Sequence, residues 1–243
     1  MTQPVGRVHA AISRRIPHLP DAAGPVSGLT GGDGPPLSVL FVGDSSVAGV
    51  GAGHHGEALA GQFSAALAER TGRPVAWEVL ARSGDTVRGI TALVGAAGSV
   101  DADLVVLSAG TNDALRFRRP SAWRADVSVL VDALRARIGR PVPVLLVSIP
   151  PVHRFGSLPR VFRWSIGGYA RLLDRQLARL CASEPGLCHL LTGPLPVDTA
   201  QFFAIDRFHP SPLGYRTWAR LLAAAAVVHG PVRTTLTAER AAL

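Results

Sequence analysis

The sequence predicts an α/β fold. A single three-layer α/β/α domain over residues 37–229 is expected, built on a five-stranded parallel sheet in the flavodoxin-like order 2-1-3-4-5. Three observations lead there. Apolar runs of strand length alternate with amphipathic stretches of helix length, which is the pattern of βα units with helices on both faces of a sheet. The runs are continuous rather than alternating, as strands buried on both faces require. No repeat of solenoid period interrupts them.

Taken in order, residues 37–42 form the first apolar run and predict the first strand. Residues 58–69 carry Leu59, Phe63 and Leu67 at helical spacing and stop at Thr71-Gly72, a C-terminal glycine signal. Residues 75–81 predict the second strand, 86–94 a short helix, and 104–107 the third strand. Ser121 has the chemistry of an N-cap for a helix reaching Ile138, with Gly139 behind it. Residues 142–149 predict the fourth strand, ended by Pro150-Pro151, and 166–182 a long helix. Residues 189–191 start a weaker fifth strand. Ser211-Pro212 supplies a cap and a first-turn proline for the last helix, which runs to about residue 228. Residues 1–36 and 230–243 read as flexible tails.

Composition narrows the function. The formal charge is +8, and all 25 cations are Arg. A Walker-type phosphate loop needs a Lys and is excluded. Arg suits phosphates and carboxylates. Here it is scattered, and the clusters at Arg116, Arg118, Arg119 and at Arg135, Arg137, Arg140 fall on predicted loops and helix faces. They read as a compositional bias, and no nucleic-acid-binding module matches. The longest apolar run, 221–228, is far short of the roughly 20 residues that span a bilayer. Cys181 and Cys188 lack a zinc-site spacing and read as two buried thiols, with a disulfide between them the alternative. Ser13-Arg14-Arg15-Ile16 superficially resembles a twin-arginine export signal, but Pro17, Pro20 and Asp21 stand where its apolar core should be. A cytoplasmic protein is therefore expected.

Open α/β sheets bind ligands at the carboxyl ends of their strands. Gly43-Asp44-Ser45-Ser46 follows the first predicted strand, Ser83-Gly84-Asp85 the second and Gly110-Thr111-Asn112-Asp113 the third. In the order 2-1-3-4-5 these loops are neighbours. After the fifth strand a long connection leads to Asp206-Arg207-Phe208-His209. Singly, each piece has an ordinary explanation: Ser45 a turn serine, Gly84 a positive-φ glycine, Asn112 an Asx-turn residue, His209 a surface histidine ahead of a helix. Jointly they place a hydroxyl, backbone donors, an amide and an imidazole at the functional edge of one sheet.

This set resembles the SGNH hydrolases, the GDSL esterase/lipase family, at Gly43-Asp44-Ser45, Gly84, Gly110-Thr111-Asn112-Asp113 and Asp206-x-x-His209-Pro210. The resemblance reaches from the first strand to the last helix. It departs at Ser46, where Leu more often follows the serine, and it does not account for the first 36 positions. It implies Ser45 as nucleophile, His209 as base and Asp206 as the carboxylate that orients it. It also implies an oxyanion hole made of the Ser45 N–H, the Gly84 N–H and the Asn112 amide. The expected chemistry is hydrolysis of carboxylic esters of short to medium acyl chains through an acyl-enzyme, with no cofactor and no metal. The expected partner is a small-molecule ester. A lysophospholipid, a thioester and an acetylated sugar remain open as substrates.

The stretch 153–164 begins at the same sheet edge as Ser45 and carries Phe155, Leu158, Phe162 and Trp164. Phe155, Phe162 and Trp164 are expected to wall the acyl pocket, the alternative for each being packing on the sheet or the following helix. Two rivals are weighed. Gly51-Ala52-Gly53-His54-His55-Gly56 formally fits a dinucleotide fingerprint but starts too far behind the first strand. An inactive binding protein on the same fold is the other. A nucleophile-elbow hydrolase is excluded, because no G-x-S-x-G is present.

Overall fold

A computed structural model describes residues 17–157, 160–191, 195–197, 199 and 201–229. The strands are β1 (Ser27–Thr30), β2 (Leu37–Gly43), β3 (Val75–Ala81), β4 (Leu104–Ser108), β5 (Val144–Val147) and β6 (Leu187–Leu190). The helices are α1 (Leu59–Thr71), α2 (Val87–Ala96), α3 (Thr111–Leu115), α4 (Pro120–Ile138), α5 (Arg160–Ser183) and α6 (Pro212–His229), with a 3₁₀ turn at Val152–Arg154.

The sheet order is β1-β3-β2-β4-β5-β6. The last five strands are parallel and reproduce the expected 2-1-3-4-5 order. The sheet nevertheless has six strands, not five. The sixth, β1, runs antiparallel along the edge of β3 and comes from the stretch read as a tail. Its sequence hides it, since an edge strand is held by backbone pairing and needs no apolar face. Leu29 is 66% exposed, and Gly28 is required because a Cβ there would lie 2.5 Å from the Trp77 indole. Residues 1–16 and the expected tail 230–243 lie outside the described residues.

Strand period decides the layers. Along β2, Leu40 and Val42 point to one face and Val39 and Phe41 to the other. The first face packs on α2, α4 and α5, through Ile90, Trp123, Leu130 and Ile166. The second packs on α1 and α6, through Phe63, Leu67, Tyr215 and Trp218. All these side chains are essentially removed from water. At roughly 25 cal/mol per Å² of apolar surface, such burial is the main force holding the layers together.

Boundaries shift for local reasons. Helix α1 ends as expected, at Gly72 in the left-handed region (φ 69°), whose N–H donates to Ala68 O (2.8 Å). Helix α4 starts at Pro120, not after a Ser121 cap, because a proline with fixed φ and no N–H suits a first turn. Strand β5 is shorter than the apolar run that contains it. Helix α5 starts at Arg160, ahead of the expected Ile166, and so includes Phe162 and Trp164. Helix α3 had no apolar period long enough to announce it.

Candidate active site

Strand β2 delivers Ser45 to the carboxyl edge of the sheet. Its last residue must be Gly43: a Cβ there would lie 2.2 Å from Ser108 O of the neighbouring β4. The chain then turns tightly, with Val47 and Ala48 N–H donating to Asp44 O and Val50 N–H donating to Ser45 O. Asp44 is buried under this turn. Its carboxylate accepts the Ser46 N–H (3.2 Å) and the Ser46 hydroxyl (3.2 Å), and Asn112 Nδ2 approaches it at 3.4 Å. Burial pushes the Asp44 carboxyl up to about 6, and the hydrogen bonds from Ser46 only partly oppose it. The Ser46 hydroxyl also meets Ser108 Oγ at 3.1 Å. Ser46, the departure from the usual Leu, thus ties the Ser45 turn to β4.

The imidazole beside Ser45 comes from the other end of the chain. Residues 206–209 form a tight turn in which Arg207 takes a left-handed conformation (φ 54°). Asp206 Oδ1 accepts the N–H groups of Phe208 (2.9 Å) and His209 (3.0 Å), and Oδ2 meets His209 Nδ1 at 2.6 Å. Burial opposes the charge of Asp206. The bonds from the His209 ring and the two backbone donors outweigh it and hold the carboxyl below its ordinary value. His209 Nε2 lies 2.9 Å from Ser45 Oγ, across 164 positions of sequence. Behind the turn, Ser211 caps α6 as expected, its hydroxyl accepting the Gly214 N–H (3.1 Å).

The remaining loops meet around Asp44. Asn112 Nδ2 donates to Asp85 O at 3.0 Å and so joins the loop after β4 to the loop after β3. Gly84 has φ 80°, which an L side chain resists, and its carbonyl accepts from Arg116 Nη2 (3.2 Å). Among the described residues, neither the Ser45 nor the Gly84 backbone N–H donates a hydrogen bond. Asp113 is buried beneath α2 and accepts the Val87 N–H (3.0 Å). Burial is the main reason that its carboxyl rises to about 6.

A cavity of about 40 Å³ opens beside Ser45 and His209. Its apolar side is Phe155, Phe202, Phe203, Phe208 and Trp218, and its polar side includes Ser46, Ser108 and Ser148. The rings interlock edge to face, Phe155 with Phe203 at 5.1 Å and with Phe208 at 5.3 Å. Gly84 and Asn112 stand outside these walls. Of the three apolar side chains expected to form the pocket, Phe155 lines it. Phe162 and Trp164 do not. Because α5 starts early, Phe162 packs against the core and Trp164 turns outward, 75% exposed. Leu158 lies outside the described residues. Phe202, Phe203 and Phe208 were missed, although their place beside the Asp206–His209 motif was a usable signal.

The resemblance to the GDSL family is borne out by comparison with known proteins. Residues 41–217 match the model of the GDSL-like Lipase/Acylhydrolase family. The chain belongs to that family. It is 30% identical over 194 residues to the GDSL-like esterase Rv1075c of Mycobacterium tuberculosis, a match spanning 76% of this chain and 60% of that protein. The lipase Lip_vut3 from a goat rumen metagenome has the same fold, with TM-score 0.59, 22% identity and coverage of 81% of this chain and 99% of that one. So does a family 3 carbohydrate esterase of Clostridium thermocellum, with TM-score 0.62, 18% identity and coverage of 84% and 99%. In this GDSL-family chain the dinucleotide-like stretch 51–56 serves packing. A Cβ on Gly51 would lie 2.3 Å from Pro210 O, next to His209. Cys181 and Cys188 are half-buried thiols not joined in a disulfide, and burial pushes Cys181 up to about 12. Among the described residues, no helix is long and apolar enough to cross a membrane.

Proposed function

We propose that the protein is a serine ester hydrolase that works through an acyl-enzyme. One observation carries the reading: Asp206, His209 and Ser45 form a continuous hydrogen-bonded chain, 2.6 Å and then 2.9 Å, at the mouth of an apolar cavity. In this reading His209 Nε2 takes the proton of Ser45 Oγ as the oxygen attacks the ester carbonyl. The imidazolium, steadied by Asp206 at Nδ1, then protonates the leaving alcohol. Water repeats the sequence on the acyl-enzyme and releases the acid. The Ser45 and Gly84 N–H groups, which have no acceptor among the described residues, receive the oxyanion together with the second N–H of Asn112. One Asn112 N–H stays on Asp85 O, and the other, which rests 3.4 Å from Asp44 Oδ2, turns to the oxyanion. All the groups invoked belong to the protein, so no metal or cofactor enters the scheme.

Cavity size supports the short end of the acyl range. The space beside Ser45 and His209 is about 40 Å³ and is bounded on its apolar side by Phe155, Phe202, Phe203, Phe208 and Trp218. Residues 37–229, extended by β1, form the catalytic unit in this reading. The test is covalent labelling with a fluorophosphonate, read by intact mass. Wild type and Ser46→Ala should gain one adduct, and Ser45→Ala none. Labelling that survives in Ser45→Ala would remove Ser45 from the role.

A further inference from the structure

The segment preceding β2 lies ahead of the residues shared with the family, 41–217, yet it is built into two loops of the site. The Ala22 N–H donates to Ala48 O (2.9 Å), at the end of the nucleophile turn, and the Ala23 N–H donates to Gly53 O (3.1 Å). The fit is close: Gly49 (φ 77°) has no room for a side chain, since a Cβ there would lie 2.6 Å from Ala22 Cβ. A few residues on, the Val79 N–H donates to Val26 O (2.7 Å), and β1 pairs with β3. Strand β3 leads directly into Ser83-Gly84.

Asp21 stands where these two attachments meet. Its Oδ1 accepts the hydroxyl of Ser83. The peptide plane that starts at Ser83 contains the Gly84 N–H, so the conformation of Ser83 aims that donor. Packing does not do it, because no atom lies within 4 Å of a Cβ built on Gly84. The loop is otherwise framed by the Arg82 N–H on Gly43 O (3.3 Å), by a turn closed from the Asp85 N–H to Arg82 O (3.3 Å) and from Arg82 Nε to the Asp85 carboxylate (2.7 Å), and by the bonds to the Gly84 and Asp85 carbonyls. Within that frame Asp21 is what holds the Ser83 side chain.

We propose that Asp21 is a positioning residue for the oxyanion hole. By holding Ser83 it fixes the Gly84 N–H relative to the Ser45 turn, which the adjacent Ala22 holds through Ala48. Asp21 acts through Ser83 and touches no reacting atom. The proposal rests on the ester-hydrolase reading of the site.

The experiment measures kcat and KM on a short-chain ester, normalised by fluorophosphonate titration of active sites. Deleting an oxyanion donor costs about 10²–10³ in rate, and misaiming one costs part of that. Asp21→Ala should therefore lose about tenfold in kcat with KM changed by less than about twofold. Asp21→Asn keeps the acceptor oxygen and should stay within about threefold of wild type. Ser83→Ala should match Asp21→Ala, and the double variant should be no worse than either. Asp21→Ala turning over at the wild-type rate overturns the proposal. So do equal losses in Asp21→Ala and Asp21→Asn, or losses that multiply in the double variant. Wild-type protein that takes no label overturns the underlying reading instead, which separates the two failures.

Discussion

At the scale of single residues, His209 is held from two directions. Asp206 fixes one ring nitrogen at 2.6 Å, and the other faces Ser45 Oγ at 2.9 Å. His209→Ala should therefore lower kcat/KM on a short-chain ester by at least about 10³-fold. Asp206→Asn keeps a group of the same shape but loses the charge that stabilises the imidazolium, so a smaller or different loss is expected. Equal retention of activity in both variants would remove the pair from the mechanism. Asn112 has a double task. Its Nδ2 donates to Asp85 O and rests 3.4 Å from Asp44 Oδ2, and the proposed mechanism turns that second N–H to the oxyanion. Asn112→Ala should cut kcat by about 10²–10³ with KM nearly constant. A change confined to KM would make it a substrate-binding residue.

At the scale of elements, the start of α5 decides what the acyl group meets. Trp164 projects from the first turns of α5 into solvent, whereas Phe155, ahead of the helix, closes the cavity. Trp164→Ala should leave chain-length preference unchanged. Phe155→Ala should open the cavity and shift kcat/KM from acetyl toward longer esters. About 0.8 kcal/mol per buried methylene corresponds to about fourfold per added carbon. A profile across acetyl to hexanoyl esters reads both variants, and a shift caused by Trp164→Ala but not by Phe155→Ala would reverse the assignment. The β2–β4 junction is the other element-scale constraint. Gly43→Ala sets a methyl 2.2 Å from Ser108 O, which is backbone that cannot swing aside. It should lower the thermal midpoint and the labelling rate of Ser45 together.

At the scale of the whole molecule, two buried carboxylates set an electrostatic cost on the fold. Asp44 and Asp113 rise from 3.8 to about 6 in the folded chain, chiefly through burial. A raised carboxyl holds its proton more tightly when folded than when unfolded. Stability therefore falls as pH rises from about 4 to about 6, by up to about 3 kcal/mol per group. Asp206 works in the opposite sense: its lowered value contributes stability that is lost as pH falls below the ordinary carboxylate range. Asp113→Asn keeps an acceptor for the Val87 N–H and removes the cost of the charge. Urea unfolding at pH 4.5 and 7.5 should find it gaining stability on wild type at the higher pH, whereas parallel losses would contradict the assignment.

The sequence by itself determined the parallel core. Its strands are buried on both faces, so their order of appearance is written as continuous apolar runs, and helix stops such as Gly72 and Gly139 are local chemistry. It also named Ser45, Gly84, Asn112, Asp206 and His209, because each sits in a short loop pattern tied to a strand end or a helix start. Only the tertiary structure decided the rest. β1 is held by hydrogen bonds rather than apolar period, and no local signal marks it. The cavity wall passed from Phe162 and Trp164 to Phe202, Phe203 and Phe208, because a helix starting six residues early rotates side chains away and a distant loop folds over the sheet edge. Ser46 with Ser108, and Asp21 with Ser83, are each separated by 62 positions. Pairings at that range depend on which strands lie side by side, and that is fixed only when the whole sheet assembles.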